Sequence, residues 1–165
     1  DTSPSANIHG MPLAALLGHG DRQLTSILSS APKLQPNNVT LIGIRSYEAG
    51  EKDLLDSLGV KIYYMPDVHQ RGLDSIFTEA VNTIGTNVDA LGVSIDIDAI
   101  CPLQAPGVST PAQDGLNAQE LLAALPIISQ HPKLVGAEVS EFLPHNDIDN
   151  KTEKITLDII KELLK

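Results

Sequence analysis

Apolar and polar positions along this chain switch between two periods, and the switching predicts its architecture. Val39–Ile44, Val60–Met65, Ala90–Ile97 and Leu134–Phe142 are short apolar runs rich in β-branched residues. Pro36-Asn37-Asn38 precedes the first run and Pro66 stops the second. Runs of this length and bulk predict buried strands. Between them the period changes. Leu73, Ile76, Phe77, Ala80, Val81 and Ile84 recur at the spacing of one helix face. Asn117 and Glu120 supply an N-cap and a first-turn acid for a helix running to Leu125. Ile155, Ile159, Ile160, Leu163 and Leu164 mark a C-terminal helix that starts near Asn150 or Thr152, and shorter helices are expected over 12–17, 21–29 and 51–58. Strands alternating with helices imply parallel βαβ units and a layered α/β domain. No repeat, low-complexity segment or long linker divides the chain, so residues 1–165 read as a single α/β domain or as part of one.

Charge and composition narrow the function. A net charge of −10 lacks the basic stripe of a nucleic-acid binder and the polybasic segment of a membrane anchor. Aromatic residues make up only 3% of the chain, with no tryptophan, which leaves little for stacking bases. No apolar run approaches the roughly 20 residues of a membrane span. The single cysteine, Cys101, cannot close an intrachain disulfide, and with the acidic charge it suggests a soluble cytoplasmic protein. The chain opens at Asp1 in a polar, turn-rich stretch with no signal peptide, which reads as the middle of something longer.

The most informative segment is Ser94–Pro102, SIDIDAICP. Strand alternation puts Ser94, Asp96 and Asp98 on one face and Ile95 and Ile97 on the other. Two carboxylates on one strand face are costly unless they are paired, hydrated at the strand end or bound to a cation. The carboxyl ends of strands are also where open α/β sheets bind ligands. Two plain acids solvated at a strand end, a metal site and an acid–base pair all remain open at this point. A magnesium-nucleotide site would want a phosphate loop, and no G-x-x-x-x-G-K-[ST] occurs. A phosphotransferase of the haloacid-dehalogenase type would carry its acid pair near the start of the chain, whereas here it lies past the midpoint.

Four further segments carry candidate chemistry. In Ser5–Pro12, SANIHGMP, His9 stands in a loop beside Asn7 and Ser5, where an imidazole suits proton transfer or ligation. Pro106–Gly115 is a rigid loop whose Ser109 and Thr110 can line a pocket. Glu141 falls at the end of the last strand, and Arg45–Glu51, RSYEAGE, follows the first. His19, His69, His131 and His145 carry no such context.

Taken in order, these segments resemble the ureohydrolase family of arginases, agmatinases and formimidoylglutamases. SIDIDAICPLQAPGVSTP resembles the family's S-x-D-x-D motif with its proline-rich continuation. ANIHGMP resembles the G-N-x-H-G-x-P loop, and Glu141-Phe142-Leu143-Pro144 resembles a late E-x-N-P acid. The resemblance implies a three-layer αβα fold around a parallel sheet, here in part, and a binuclear Mn2+ centre whose bridging hydroxide attacks an amidine or guanidine carbon. Asp96 and Asp98 would be metal ligands. His9 and Glu141 would be catalytic, and Ser5, Asn7, Glu51 and Thr110 would bind substrate. PGVS followed by P-A, together with the tail PHNDIDNKTEKIT, looks most like formimidoylglutamase, which releases formamide from N-formimidoyl-L-glutamate in histidine degradation. An arginase would read R-D-x-D-x-x-E at Arg45–Glu51, so arginase or agmatinase action on a guanidino substrate is the alternative.

Three departures from the family pattern stand out. Cys101 replaces an aspartate before proline, and Asp114-Gly115 replaces a glycine pair, which changes a turn without touching metals. The G-G-D-H and D-A-H-x-D motifs that supply the other metal ligands are absent, so the chain is expected to be the C-terminal part of a ureohydrolase domain with those ligands upstream. Alone, it would be a non-catalytic fragment or interaction module. Its expected partner is a small amidine or guanidino molecule, without nucleic acid or membrane, and a homo-oligomer is expected by family analogy.

Overall fold

Strands and helices alternate along the chain in the computed structural model, which describes residues 3–165. The strands are β1 (Thr40–Ile44), β2 (Lys61–Tyr64), β3 (Leu91–Asp96) and β4 (Leu134–Ser140), each starting within one residue of its predicted start. They pair as two two-stranded sheets, β1 with β2 and β3 with β4. Two compact units result, one of Asp1–Leu41 with Tyr47–Lys61, the other of Ile42–Ser46 with Ile62–Lys165.

The first unit carries α1 (Pro12–Leu16), α2 (Arg22–Thr25) and α3 (Ala49–Leu58). Proline in the first turn suits α1, because that turn's N–H groups lack intrahelical acceptors anyway. Asp21 caps α2 by accepting from the Gln23 N–H at 2.7 Å. A reciprocal capping box starts α3. Glu48 accepts from the backbone of Glu51, and the Glu51 carboxylate accepts from the Glu48 N–H at 3.3 Å.

The second unit holds the core. Its helices are α4 (Met65–Arg71), α5 (Leu73–Gly85), α6 (Ala118–Ala124), α7 (Pro126–Ser129) and α8 (Lys151–Leu163). Ile76, Ile97, Leu125 and Ile159, from four separate stretches of chain, are wholly shielded from solvent. Each contributes roughly 1.5–3 kcal/mol on burial. The α5 stripe is the predicted one, with Leu73, Ile76, Phe77, Ala80 and Val81 buried. Pro66, by contrast, does not merely stop β2. It opens α4, whose first turn is tied down by the Tyr64 N–H donating to Asp67 at 2.8 Å. Helix α7 was not anticipated, because Pro126 at its first turn reads in sequence as a break.

Strands β3 and β4 are parallel, as the βαβ pattern predicts, with Asp96 opposite Ser140. The expectation of burial holds for alternate residues of β3 but not for β4, where Val135–Glu138 are exposed. Only β3 pairs with β4 among the described residues, and an edge strand keeps much of its surface in water.

Helix α8 begins where predicted, but neither Asn150 nor Thr152 caps it with a side chain. Asn150 sits in the left-handed region at φ +55° and its amide caps nothing. Asp147 does the work from three residues further back, accepting from the N–H groups of Ile148 (2.9 Å), Thr152 (3.0 Å) and Glu153 (3.0 Å). Burial pushes the Asp147 carboxyl up, but the Thr152 hydroxyl and these three N–H groups outweigh it and hold the group below the usual range. A carboxylate depressed on folding stabilises above its unfolded pKa of about 4 and loses that contribution as pH falls through the folded value. Asp147→Ala in the intact protein is therefore expected to cost about 1 kcal/mol near neutral pH. Denaturant melts at pH 7 and pH 3 should show the gap to wild type closing in acid, and a gap that widened would refute the capping role.

Among the described residues no helix is long and apolar enough to cross a membrane.

Candidate functional site

Register explains why acids gather in the second unit. Because β3 and β4 run parallel with Asp96 beside Ser140, the next residue after β4, Glu141, emerges at the same end as the acidic segment. The strand does not continue to Asp98. It ends at Asp96, and Ile97–Ala99 forms a 3₁₀ turn that swings Asp98 back. The Asp96 carboxylate accepts from the Asp98 N–H at 3.0 Å and holds that turn. The two acids thus meet through a turn and not along one pleated face, which corrects the alternation argument while leaving the residues together.

The electrostatics are those of a crowded acid. Asp96 is accessible to solvent on one side, yet the protein behind its carboxyl makes burial the main cause of a pKa pushed up to about 6. The neighbouring Asp98 charge adds to this and Glu141 adds less, with only the Asp98 N–H opposing. Three negative groups at one strand end disfavour full ionisation unless a cation joins them. Carboxylate oxygens in this arrangement suit a hard divalent ion such as Mn2+. Among the described residues no group of three or more His, Cys, Asp or Glu side chains converges as a complete cage, so the pair fits as part of a donor set.

Glu141 itself adopts φ +63°, a left-handed conformation that non-glycine residues seldom take. The Ser109 hydroxyl donates to its carboxylate at 3.4 Å, and Thr110 lies 3.1 Å from Ser109. Sequence reasoning selected Thr110 for substrate contact, whereas Ser109 is the hydroxyl nearer to Glu141. The loop bearing both is fixed from below. Fully buried Thr152 accepts from the Gly107 N–H at 2.7 Å, and the Asn146 amide donates to the Val108 carbonyl at 2.8 Å. Neither anchor has a sequence signature, because both reach backbone about 40 residues away.

The first unit contains the other candidates. His9 lies exposed in a 3₁₀ turn, Ile8–Gly10, preceded by Asn7, whose N–H donates to the Ser5 hydroxyl at 3.3 Å. Ser5 also donates its own N–H to Glu48 at 3.2 Å, and the Ser3 hydroxyl donates to the same carboxylate at 2.9 Å. Hydrogen bonds from Ser5 and then Ser3 hold the Glu48 carboxyl below its usual range. Glu51, the residue singled out in sequence, is engaged in the α3 capping box. Glu48 is thus the acid that faces the serine loop, and its signal was the acid three positions ahead of Glu51.

The sequence model of the Arginase family matches residues 1–165. The arginase of Bacillus caldovelox is 39% identical over 163 residues, 99% of this chain and 54% of that protein. The crystal structure of the arginase from Bacillus subtilis superposes with a TM-score of 0.94 at 36% identity, covering 99% of this chain and 56% of that one. The formimidoylglutamase of Bacillus subtilis superposes with a TM-score of 0.73 at 25% identity, covering 76% of this chain and 40% of that one. The chain therefore spans about half the length of the relatives it matches.

Proposed function

Because this chain belongs to the arginase family and has its α/β fold, we propose that the intact protein is a metal-dependent hydrolase that cleaves the C–N bond of a guanidino substrate in the manner of an arginase. The observation that carries this reading is the gathering of Asp96, Asp98 and Glu141 at the shared end of two parallel strands. The choice of a guanidino over a formimidoyl substrate rests on the relatives called arginase, which match along nearly the whole chain and more closely than the formimidoylglutamase does. It reverses the weighting that the PGVS segment and the tail suggested.

In this reading Asp96 and Asp98 hold the cation, with the donors of a second ion coming from elsewhere in the protein. Bound divalent metal supplies Lewis acidity and an activated water at neutral pH. Glu141 accepts charge-assisted hydrogen bonds from the planar guanidinium and orients it, while Ser109 and Thr110 steady the carboxylate. His9 moves protons between the reacting group and solvent. Ser5, Asn7, Glu48 and Glu51 receive the amino-acid end of the substrate. Manganese, a cytoplasmic location and a homo-oligomeric assembly complete the proposal by analogy with the family.

The test is a substrate panel on the intact, manganese-loaded protein, with urea and formamide measured separately. Urea from L-arginine is the expected product. Formamide from N-formimidoyl-L-glutamate, without urea from L-arginine or agmatine, would restore the formimidoylglutamase reading. Inertness toward all three with metal bound would remove hydrolysis from the account.

A further inference from the structure

We infer that Arg45 is a positioning residue for the carboxylate turn, clamping the Asp98 peptide so that Asp96 and Asp98 are set for a cation; this rests on the metal-binding role proposed for that pair. Arg45 follows β1 and is half-buried. Its Nη2 donates to the Asp98 carbonyl at 2.5 Å and to the Ala112 carbonyl at 3.1 Å, and its Nε donates to the Gln113 carbonyl at 3.0 Å. All three acceptors are main-chain oxygens, and they lie 53 to 68 residues away in sequence.

The backbone of Asp98 is consequently held on both sides, at the peptide group before it and the one after it. Its N–H donates to the Asp96 carboxylate and its C=O accepts from Arg45. Holding both groups fixes the backbone dihedrals of Asp98 and with them the direction of its side chain. Ligand orientation is what such outer supports contribute to metal affinity, typically 10–100-fold. The same guanidinium joins this turn to the far side of the loop at 112–113.

That loop has an independent closure. Leu116 donates to the Ala99 carbonyl at 2.8 Å and Cys101 donates to the Leu116 carbonyl at 2.9 Å. Removing Arg45 therefore frees the turn without opening the base of the loop. Lysine would keep the charge, but one ammonium cannot donate along both the Nε and Nη directions of the fork.

The experiment compares the intact wild-type protein with Arg45→Met, Arg45→Lys and Asp96→Asn. Manganese affinity is read by competition with a chelator, and thermal unfolding is recorded on the metal-free proteins. Arg45→Met is expected to bind manganese about 10-fold or more weakly, and Arg45→Lys to fall between it and wild type, while metal-free melting points change little. Wild-type affinity in both Arg45 variants, with affinity lost in Asp96→Asn, overturns the clamp and leaves the metal reading intact. Wild-type affinity in Asp96→Asn overturns the metal reading and the clamp together. If Arg45→Met does not fold, Arg45→Lys decides alone: weakened affinity in the folded protein supports the clamp, and unchanged affinity refutes it.

Discussion

Asp96→Asn in the intact protein is expected to lose manganese affinity by about 100-fold or more and to lose turnover with it, yet to melt no lower than wild type when both are metal-free. The two effects have one origin. In the absence of a cation, the Asp96 carboxylate sits among protein atoms that desolvate it, beside Asp98 and Glu141. Folding at neutral pH must then either keep its proton or bear the repulsion, so the charge opposes stability. The amide has nearly the same shape, and its oxygen still accepts from the Asp98 N–H that holds the turn. What it lacks is the anionic oxygen that a hard metal needs. A metal-dissociation assay paired with thermal melts of the metal-free proteins checks both halves. Melting well below wild type would show that Asp96 is a structural acid, and unaltered manganese binding would show that it is no ligand.

Gly115→Ala should be the most destabilising single-methyl change in the second unit, at about 3 kcal/mol. A Cβ at Gly115 would lie 2.6 Å from the Cys101 nitrogen, 2.6 Å from the Ile100 carbonyl carbon and 2.7 Å from its oxygen. These atoms belong to one peptide group within the 99–116 closure, and a peptide group cannot rotate aside as a flexible side chain would. The alanine must therefore push the two segments apart, breaking the Cys101–Leu116 hydrogen bond and disturbing the turn that carries Asp98. Gly59 provides the contrast. It caps α3 at φ +72° with open space where its Cβ would be, so Gly59→Ala costs only the left-handed conformation, roughly 1–2 kcal/mol. Denaturation midpoints of the two variants separate steric exclusion from backbone preference. A Gly115→Ala protein within 1 kcal/mol of wild type would mean that the close approach relaxes at little cost.

How far the sequence foretells this molecule depends on the range of each interaction. The four strands are legible because β-branched runs between turn formers have few other uses, and the parallel sense of β3 and β4 follows from the helices between them. That Asp96 and Glu141 emerge at one end follows from the same pattern, since Asp96 ends β3, Glu141 comes directly after β4, and parallel strands end together. Asp98 was expected beside Asp96 on a mistaken geometry, because the alternation rule gives no warning that a carboxylate will fold the chain into a turn directly after it. Arg45 was invisible as a clamp, since its acceptors are carbonyls that every residue possesses. Asp147 escaped because it caps from outside the usual position. The Glu48–Glu51 box escaped because a glutamate at the N-cap is not the usual serine or threonine. Asp114 shows the reverse case. It stands where the family pattern has glycine and adopts φ +60°, a conformation aspartate tolerates, with His69 2.8 Å from its carboxylate. The turn is preserved although the residue is not.

On the proposed function, Glu141 sets selection for durability against selection for chemistry. At φ +63° its backbone would be more at ease as glycine, by roughly 1 kcal/mol, yet glycine would surrender the carboxylate beside Asp96. Evolution under heat alone would drift toward glycine at this position and lose the acid. A lineage that keeps glutamate there reveals what it is being selected to do.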